Sequence, residues 1–221
     1  MMIKARQLLQ KLLPGMLIVL LLIAIPSPIS LAATSPLDEG IEAYEMGNYD
    51  LAVEDFSEAI AQEAETEKAY YWRGTSYINL GDFESAIADY TEVIDLAPDN
   101  GGAYYNRALA HTELGNYEQA ITDYDQALEL KPNQERIYLN RGIAHSQKGQ
   151  FKSAIADYTQ AIELNENLAD AYANRGVTHA AMGEKESAIA DLETAGKLYR
   201  DQGKQELYQT VQESIDTLSD R

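Results

Sequence analysis

Tyr70 to Pro98, YYWRGTSYINLGDFESAIADYTEVIDLAP, is one cast of a pattern that most of the chain repeats. Gly81 in its middle is preceded by Gly47 and followed by Gly115, Gly149 and Gly183, five glycines at a constant step of 34 residues with no insertion. Three other columns keep that step: Ala52, Ala86, Ala120, Ala154 and Ala188; Phe56, Tyr90, Tyr124, Tyr158 and Leu192; and Asp55, Asp89, Asp123, Asp157 and Asp191. A period of roughly 20 to 50 residues marks a chain built by stacking one supersecondary unit, so the repeat is read before any single motif.

These columns resemble the tetratricopeptide repeat family, whose signature has a small residue in mid-helix, an aromatic after the inter-helix turn, an alanine and then an aromatic on the second helix, and a closing proline. The resemblance covers the frames 33–66, 67–100, 101–134, 135–168 and 169–202. It implies an all-α fold, a right-handed α-solenoid of five helix-turn-helix repeats, with residues 203–221 forming a capping helix and tail.

Local signals agree with that reading. Ser35 can cap a first helix, Pro36 suits its first position, and Asp38 and Glu39 sit where the helix dipole favours negative charge. In the second frame the helices are expected at about Lys68 to Leu80 and Glu84 to Leu96, hinged at Gly81 and Asp82. Gly74, Ala108, Gly142 and Gly176 cost helix propensity, a cost that makes sense if they let a neighbouring helix approach. Pro98 and Pro132 end second helices, because the residue before proline avoids the helical region. The first frame lacks this proline, and the fifth drifts further: Lys185 replaces the aromatic after the turn, Leu192 replaces tyrosine, and Gly196 and Arg200 stand where apolar residues or proline are expected. Beyond it, Leu207, Val211, Ile215 and Leu218 make an amphipathic stretch able to cover the last repeat.

Residues 1–32 read as a secretory signal: basic Lys4, Arg6 and Lys11, an apolar run from Met16 to Ile25, and small residues around a cut after Ala32. The alternative is an uncleaved membrane anchor using residues 12–33. Either sends the repeats across a membrane. With the leader removed, 14 basic residues face 36 acidic ones, a net charge of -22. Such a surface repels phosphate backbones and anionic headgroups, which excludes nucleic acid as the expected partner. Cysteine is absent, removing disulfides, thiolate nucleophiles and thiolate metal sites.

Three columns invite chemistry. His111, His145 and His179 share one repeat position, but equivalent residues on packed helices lie about 8–10 Å apart, too far to share a zinc ion held at about 2 Å. No metal site is therefore expected. A structural role is expected instead, with acid-driven loosening of the stack as the functional alternative. Aspartates at positions 55 to 191 recur once per repeat, unlike a catalytic pair. Arg73, Arg107, Arg141 and Arg175 form a matching basic column, and arginines and aspartates of packed helices are expected to pair and fix the register. No nucleotide-cradling loop or helix-borne histidine pair is present. The expectation is a non-enzyme without cofactor.

In the family the first helices line a concave groove. Carrying its columns over names Lys68, Tyr71, Trp72, Thr75, Asn79, Tyr105, Asn106, Leu109, Thr112, Leu139, Asn140, Ile143 and Asn174 as partner-binding residues. Asn106, Asn140 and Asn174 can donate to and accept from an extended backbone, or else satisfy groups of the protein itself. Tyr71, Trp72 and Tyr105 offer aromatic anchors. Some family members grip an acidic chaperone tail with lysines. Lys68 and Arg136 share one groove position here, but Tyr71, Tyr105 and Leu139 stand where that grip needs lysine, so the expected ligand is an extended, partly apolar protein segment. The resemblance, similar to cyanobacterial members, thus implies an exported adaptor, monomeric when alone, in a periplasm or thylakoid lumen, aiding assembly of a complex. The alternative is a structural or self-associating subunit using its convex face or end helix.

Overall fold

The structure, a computed structural model, describes residues 35–220, so the expected signal peptide or anchor lies outside the described residues. Eleven helices follow one another, and the described residues contain no strand: α1 Pro36–Glu45, α2 Tyr49–Ala61, α3 Thr66–Leu80, α4 Phe83–Leu96, α5 Gly101–Glu113, α6 Tyr117–Leu130, α7 Glu135–Gln147, α8 Phe151–Leu164, α9 Ala169–Ala181, α10 Lys185–Asp201 and α11 Gln205–Ser219. Each odd-numbered helix up to α9 pairs with the helix after it, and each pair packs on the next. The result is a stack of five helical pairs closed by α11.

The glycine column makes the turns. Gly47, Gly81, Gly115, Gly149 and Gly183 all have φ between +71° and +79°, where a side chain costs about 1 kcal/mol or more. At the second turn the Gly81 amide donates to the Ile78 carbonyl at 3.1 Å and that of Asp82 to Tyr77 at 2.9 Å, closing α3. Asp82 then caps α4 by accepting from the Ser85 amide at 3.1 Å. Ser35 caps α1 in the same way from the Asp38 amide, with Pro36 at the first position, as the sequence suggests. Where the first repeat lacks its proline, the chain leaves α2 through two left-handed glutamates, Glu63 at φ +54° and Glu65 at φ +44°.

Between the helices lies a column of alanines and aromatics. Ala52, Ala86, Ala120, Ala154 and Ala188 are fully buried, as are Phe56, Tyr90 and Tyr124, with Tyr158 and Leu192 nearly so. Small residues on the first helices make room for the rings: a Cβ added at Gly74 would stand 3.1 Å from the Tyr90 ring, and one at Gly142 2.7 Å from that of Tyr158.

First helices also touch the first helices of neighbouring repeats, whereas second helices make no contact of comparable extent with one another. The odd-numbered helices are therefore the tighter, inner row. At the far end α10 runs for 17 residues, and Arg200 stands where Pro98 and Pro132 follow the earlier second helices. α11 lays Tyr208, Val211, Ile215 and Leu218 against it. Leu207, expected in the same seam, is instead 43% exposed: the seam centres on Val211, and Tyr208 takes its place. No helix among the described residues is long and apolar enough to cross a membrane.

Candidate functional site

Each arginine of the basic column is held on three sides. Arg107 donates from Nε and Nη2 to the two carboxylate oxygens of Asp123, both at 2.8 Å, and from Nη1 to the Thr91 hydroxyl of the preceding repeat at 3.0 Å. Its guanidinium also lies over the Tyr104 ring, 5.7 Å from the centroid. Arg73, Arg141 and Arg175 repeat this with Asp89, Asp157 and Asp191, reaching back to Ser57, Asp125 and Thr159. The expected arginine and aspartate pairs form within each repeat, and the third arm joins repeats. None of these arginines is left to hold a ligand. In the first repeat Glu39 replaces the arginine, and the Asp55 carboxyl is pushed up by burial and then by Glu39, Glu54 and Glu58.

Burial offsets much of what such a pair contributes: Asp89 lies above the ordinary carboxylate range despite its paired guanidinium, because desolvation outweighs Arg73. Removing half of it is a different matter. Asp123→Asn puts an amide nitrogen against a guanidinium that is only 19% exposed, and is expected to cost about 2 kcal/mol in urea unfolding, less than a fully buried pair would. Partner binding should be unaffected. No loss of stability would remove the pairing from the account of the fold.

The inner face carries a second ladder. The Asn106 amide donates to the Tyr71 hydroxyl at 3.1 Å, and that of Asn140 to Tyr105 at 2.9 Å, each reaching 35 residues back into the preceding repeat. Asn79 donates to Tyr44 at 3.3 Å and to the Thr75 carbonyl at 2.9 Å. The ladder stops at Asn174, because Leu139 has no hydroxyl; this amide turns to the Asp170 carbonyl of its own helix. So Asn106, Asn140 and Asn174 each give one of their two amide N–H donors to the protein itself, and Asn79 gives both. Burial raises the Tyr71 and Tyr105 hydroxyls, which keeps them neutral.

The other residues named from the sequence divide by exposure. Lys68 is exposed and ion-paired with Glu65. Trp72 is half-buried with its ring 5.2 Å from that of Tyr44. Thr75 and Thr112 donate to carbonyls one turn back and meet the hydroxyls of Tyr90 and Tyr124. Leu109 and Ile143 pack half-buried on the core. Leu139 is buried within a core cluster and presents little surface, because a leucine in this column has no polar tip to hold outward.

Two inner-face residues escaped the sequence reading. Tyr44 completes the aromatic patch with Trp72, and Val177 is 58% exposed at the repeat position of Thr75, Leu109 and Ile143. Val177 lies one period after Ile143 and Tyr44 two periods before Thr112, so the 34-residue step was the signal. Val177, Ala180, Ser214, Thr217 and Leu218 line part of an open hollow of about 420 Å³ between α9 and α11.

The three histidines meet different surroundings. His111 has a buried Nδ1 without a hydrogen-bond partner, and desolvation lowers its pKa. His145 Nδ1 lies 2.6 Å from Gln150 and its Nε2 3.8 Å from Asp157, and His179 Nδ1 lies 2.5 Å from Glu184 and its Nε2 3.8 Å from Asp191. His111 thus differs from the two later histidines, which share one arrangement. Among the described residues no group of three acidic or histidine side chains is placed to hold a metal ion.

Family models described as tetratricopeptide or TPR repeats match residues 67–100, 89–122, 108–149, 146–183 and 169–202, together spanning 67–202. Similar solved structures include MamA from Desulfovibrio magneticus RS-1, at 20% identity and TM-score 0.71 over 74% of this chain and 92% of that one. TTC0263, a thermophilic TPR protein of Thermus thermophilus, is similar at 22% identity and TM-score 0.61, covering 80% and 96%. YrrB, described as a TPR protein with an unusual peptide-binding site, is similar at 20% identity and TM-score 0.69, covering 80% and 90%. No curated protein sequence matches the chain.

Proposed function

Starting from the fact that the chain belongs to the tetratricopeptide repeat family, we propose that it is a non-catalytic adaptor that holds an extended segment of a partner protein along its inner helices and so aids assembly of a complex. One observation carries this reading. Tyr71, Trp72 and Tyr105 sit half-buried on the inner row, and Asn106 and Asn140 fix two of their hydroxyls across repeat boundaries. A surface whose aromatic groups are already ordered loses little side-chain entropy when something binds it. The peptide-binding site named for YrrB supports the idea that such a fold takes peptides. In this proposal the leader takes the chain to a periplasm or thylakoid lumen, and the chain is a monomer when alone.

The test is a pull-down from native soluble and membrane fractions with the full chain. Beside it runs a variant carrying Tyr71→Ala, Asn106→Ala and Asn140→Ala, checked for unchanged helicity. A partner retained by the first and reduced at least about tenfold by the variant supports the reading, the size expected when an aromatic anchor is truncated. Equal retention would move the contact to the second helices or to α11. Capture of the chain's own untagged copy alone would favour a self-associating subunit.

A further inference from the structure

The chain seats its own cations on its own rings. Arg73 lies over Tyr70 and Tyr77, Arg107 over Tyr104, Arg141 over Tyr138, Arg175 over Tyr172 and Lys204 over Tyr199, all within 5.4–6.0 Å of the ring centroids. Tyr44 and Trp72 differ: no cation of the described residues lies over either ring. They meet edge to face 5.2 Å apart across the first repeat boundary, with Tyr49 5.4 Å from Tyr44 and Tyr71 6.3 Å from Trp72. Four half-buried rings thus form one patch at the start of the inner row.

The chain carries 36 acidic against 17 basic residues, and exposed carboxylates belong to the first repeat. Glu45, next to Tyr44, is exposed, and Asp38, exposed, holds in the first repeat the position that Trp72 holds in the second. The lysine on α3, Lys68, is paired with Glu65. Further along the row burial raises the Tyr105 hydroxyl, with the charge of Arg136 opposing it in part. Electron-rich ring faces attract cations, and a planar guanidinium can also stack on them. We infer that the partner's segment carries an arginine or lysine whose charged group rests on the Trp72 and Tyr44 rings. This rests on the inner-face reading above and places the bound segment's cation at the first two repeats.

Trp72 is the chain's single tryptophan, so its emission reports on this patch alone. The probes are three blocked heptapeptides of alanine and leucine whose central residue is arginine, glutamine or glutamate, titrated against the full chain. The arginine peptide is expected to saturate the change at about one tenth of the concentration the glutamine peptide needs, the glutamate peptide being weaker still. The overall negative charge would also favour arginine, so a second chain separates the two causes. Tyr44→Leu leaves the charge and the reporter in place and removes one ring; the preference for arginine over glutamine should fall to about threefold or less. Equal midpoints for the three peptides would overturn the inference, as would an arginine preference undiminished in Tyr44→Leu, or no emission change with any peptide. The pull-down decides separately whether the inner face binds a partner at all.

Discussion

Tyr124→Ala is expected to lower stability by about 3–5 kcal/mol, measured as the shift of the urea unfolding curve followed by circular dichroism. The ring is fully buried, and its cluster consists largely of residues with nothing to spare: Ala108, Ala120, Ala127 and Ala144 cannot reach into the space it leaves. Its loss would empty the seam between α5 and α6 and weaken the contact with α7. Tyr124→Phe separates the ring from its hydroxyl. Only the 3.3 Å contact with Thr112 is lost, and about 1 kcal/mol is expected. A Tyr124→Ala chain within about 1 kcal/mol of the parent would mean that the stack collapses around the hole, and that the column of large rings is not what spaces the repeats. Because a solenoid's stability is a sum of repeat and interface terms, the unfolding curve should also broaden as the first repeats and the last ones part company.

Gly142→Leu should cost about 3 kcal/mol by the opposite route, overfilling. A Cβ at this position stands 2.7 and 2.8 Å from two ring atoms of Tyr158 and 3.2 Å from the Cβ of Asp157. That tyrosine is 1% exposed and has no free direction to move. Ala108 holds the equivalent position one repeat earlier, so a single methyl group is tolerated somewhere in the column. Gly142→Ala already carries that Cβ and is expected to cost about 1–2 kcal/mol, less than leucine because gained helix propensity offsets part of the close contact. If the leucine variant unfolded at the parental urea concentration, the close approach of α7 and α8 would not be a constraint on the fold.

The fold was legible because the features that make it recur. A glycine every 34 residues at a left-handed turn, an alanine where helices touch and an aromatic where they part leave one consistent reading of helix pairs. The pairing of Arg107 with Asp123 was legible from matching columns. Its third arm to Thr91 was not, since the receiving column is chemically mixed: Ser57, Thr91, Asp125 and Thr159 have little in common except an oxygen at the right height. The inner face was half legible. Tyr71 and Asn106 were both named, but a link 35 residues long runs diagonally to the period, and reading down columns does not find it. Leu139 was misjudged for a related reason: a column position says which way a side chain starts, while its chemistry decides whether it stays at the surface. Leu207 fits a helical stripe by spacing, and only the packed seam of α10 and α11 shows which side of the stripe is covered.

The three-sided arginine also bears on how such a chain changes length over generations. Each of the three middle repeats carries the arginine that clasps its own aspartate and reaches backward, together with the oxygen that the following arginine will need. A gene duplication or deletion of one 34-residue block therefore copies or removes complete halves of two joints and leaves no half unmatched. Excising residues 101–134 would bring Arg141 against Thr91, the oxygen Arg107 now uses. Arrays with this joint can be lengthened or shortened in single steps without first inventing a new interface, and the inner face grows or shrinks with them.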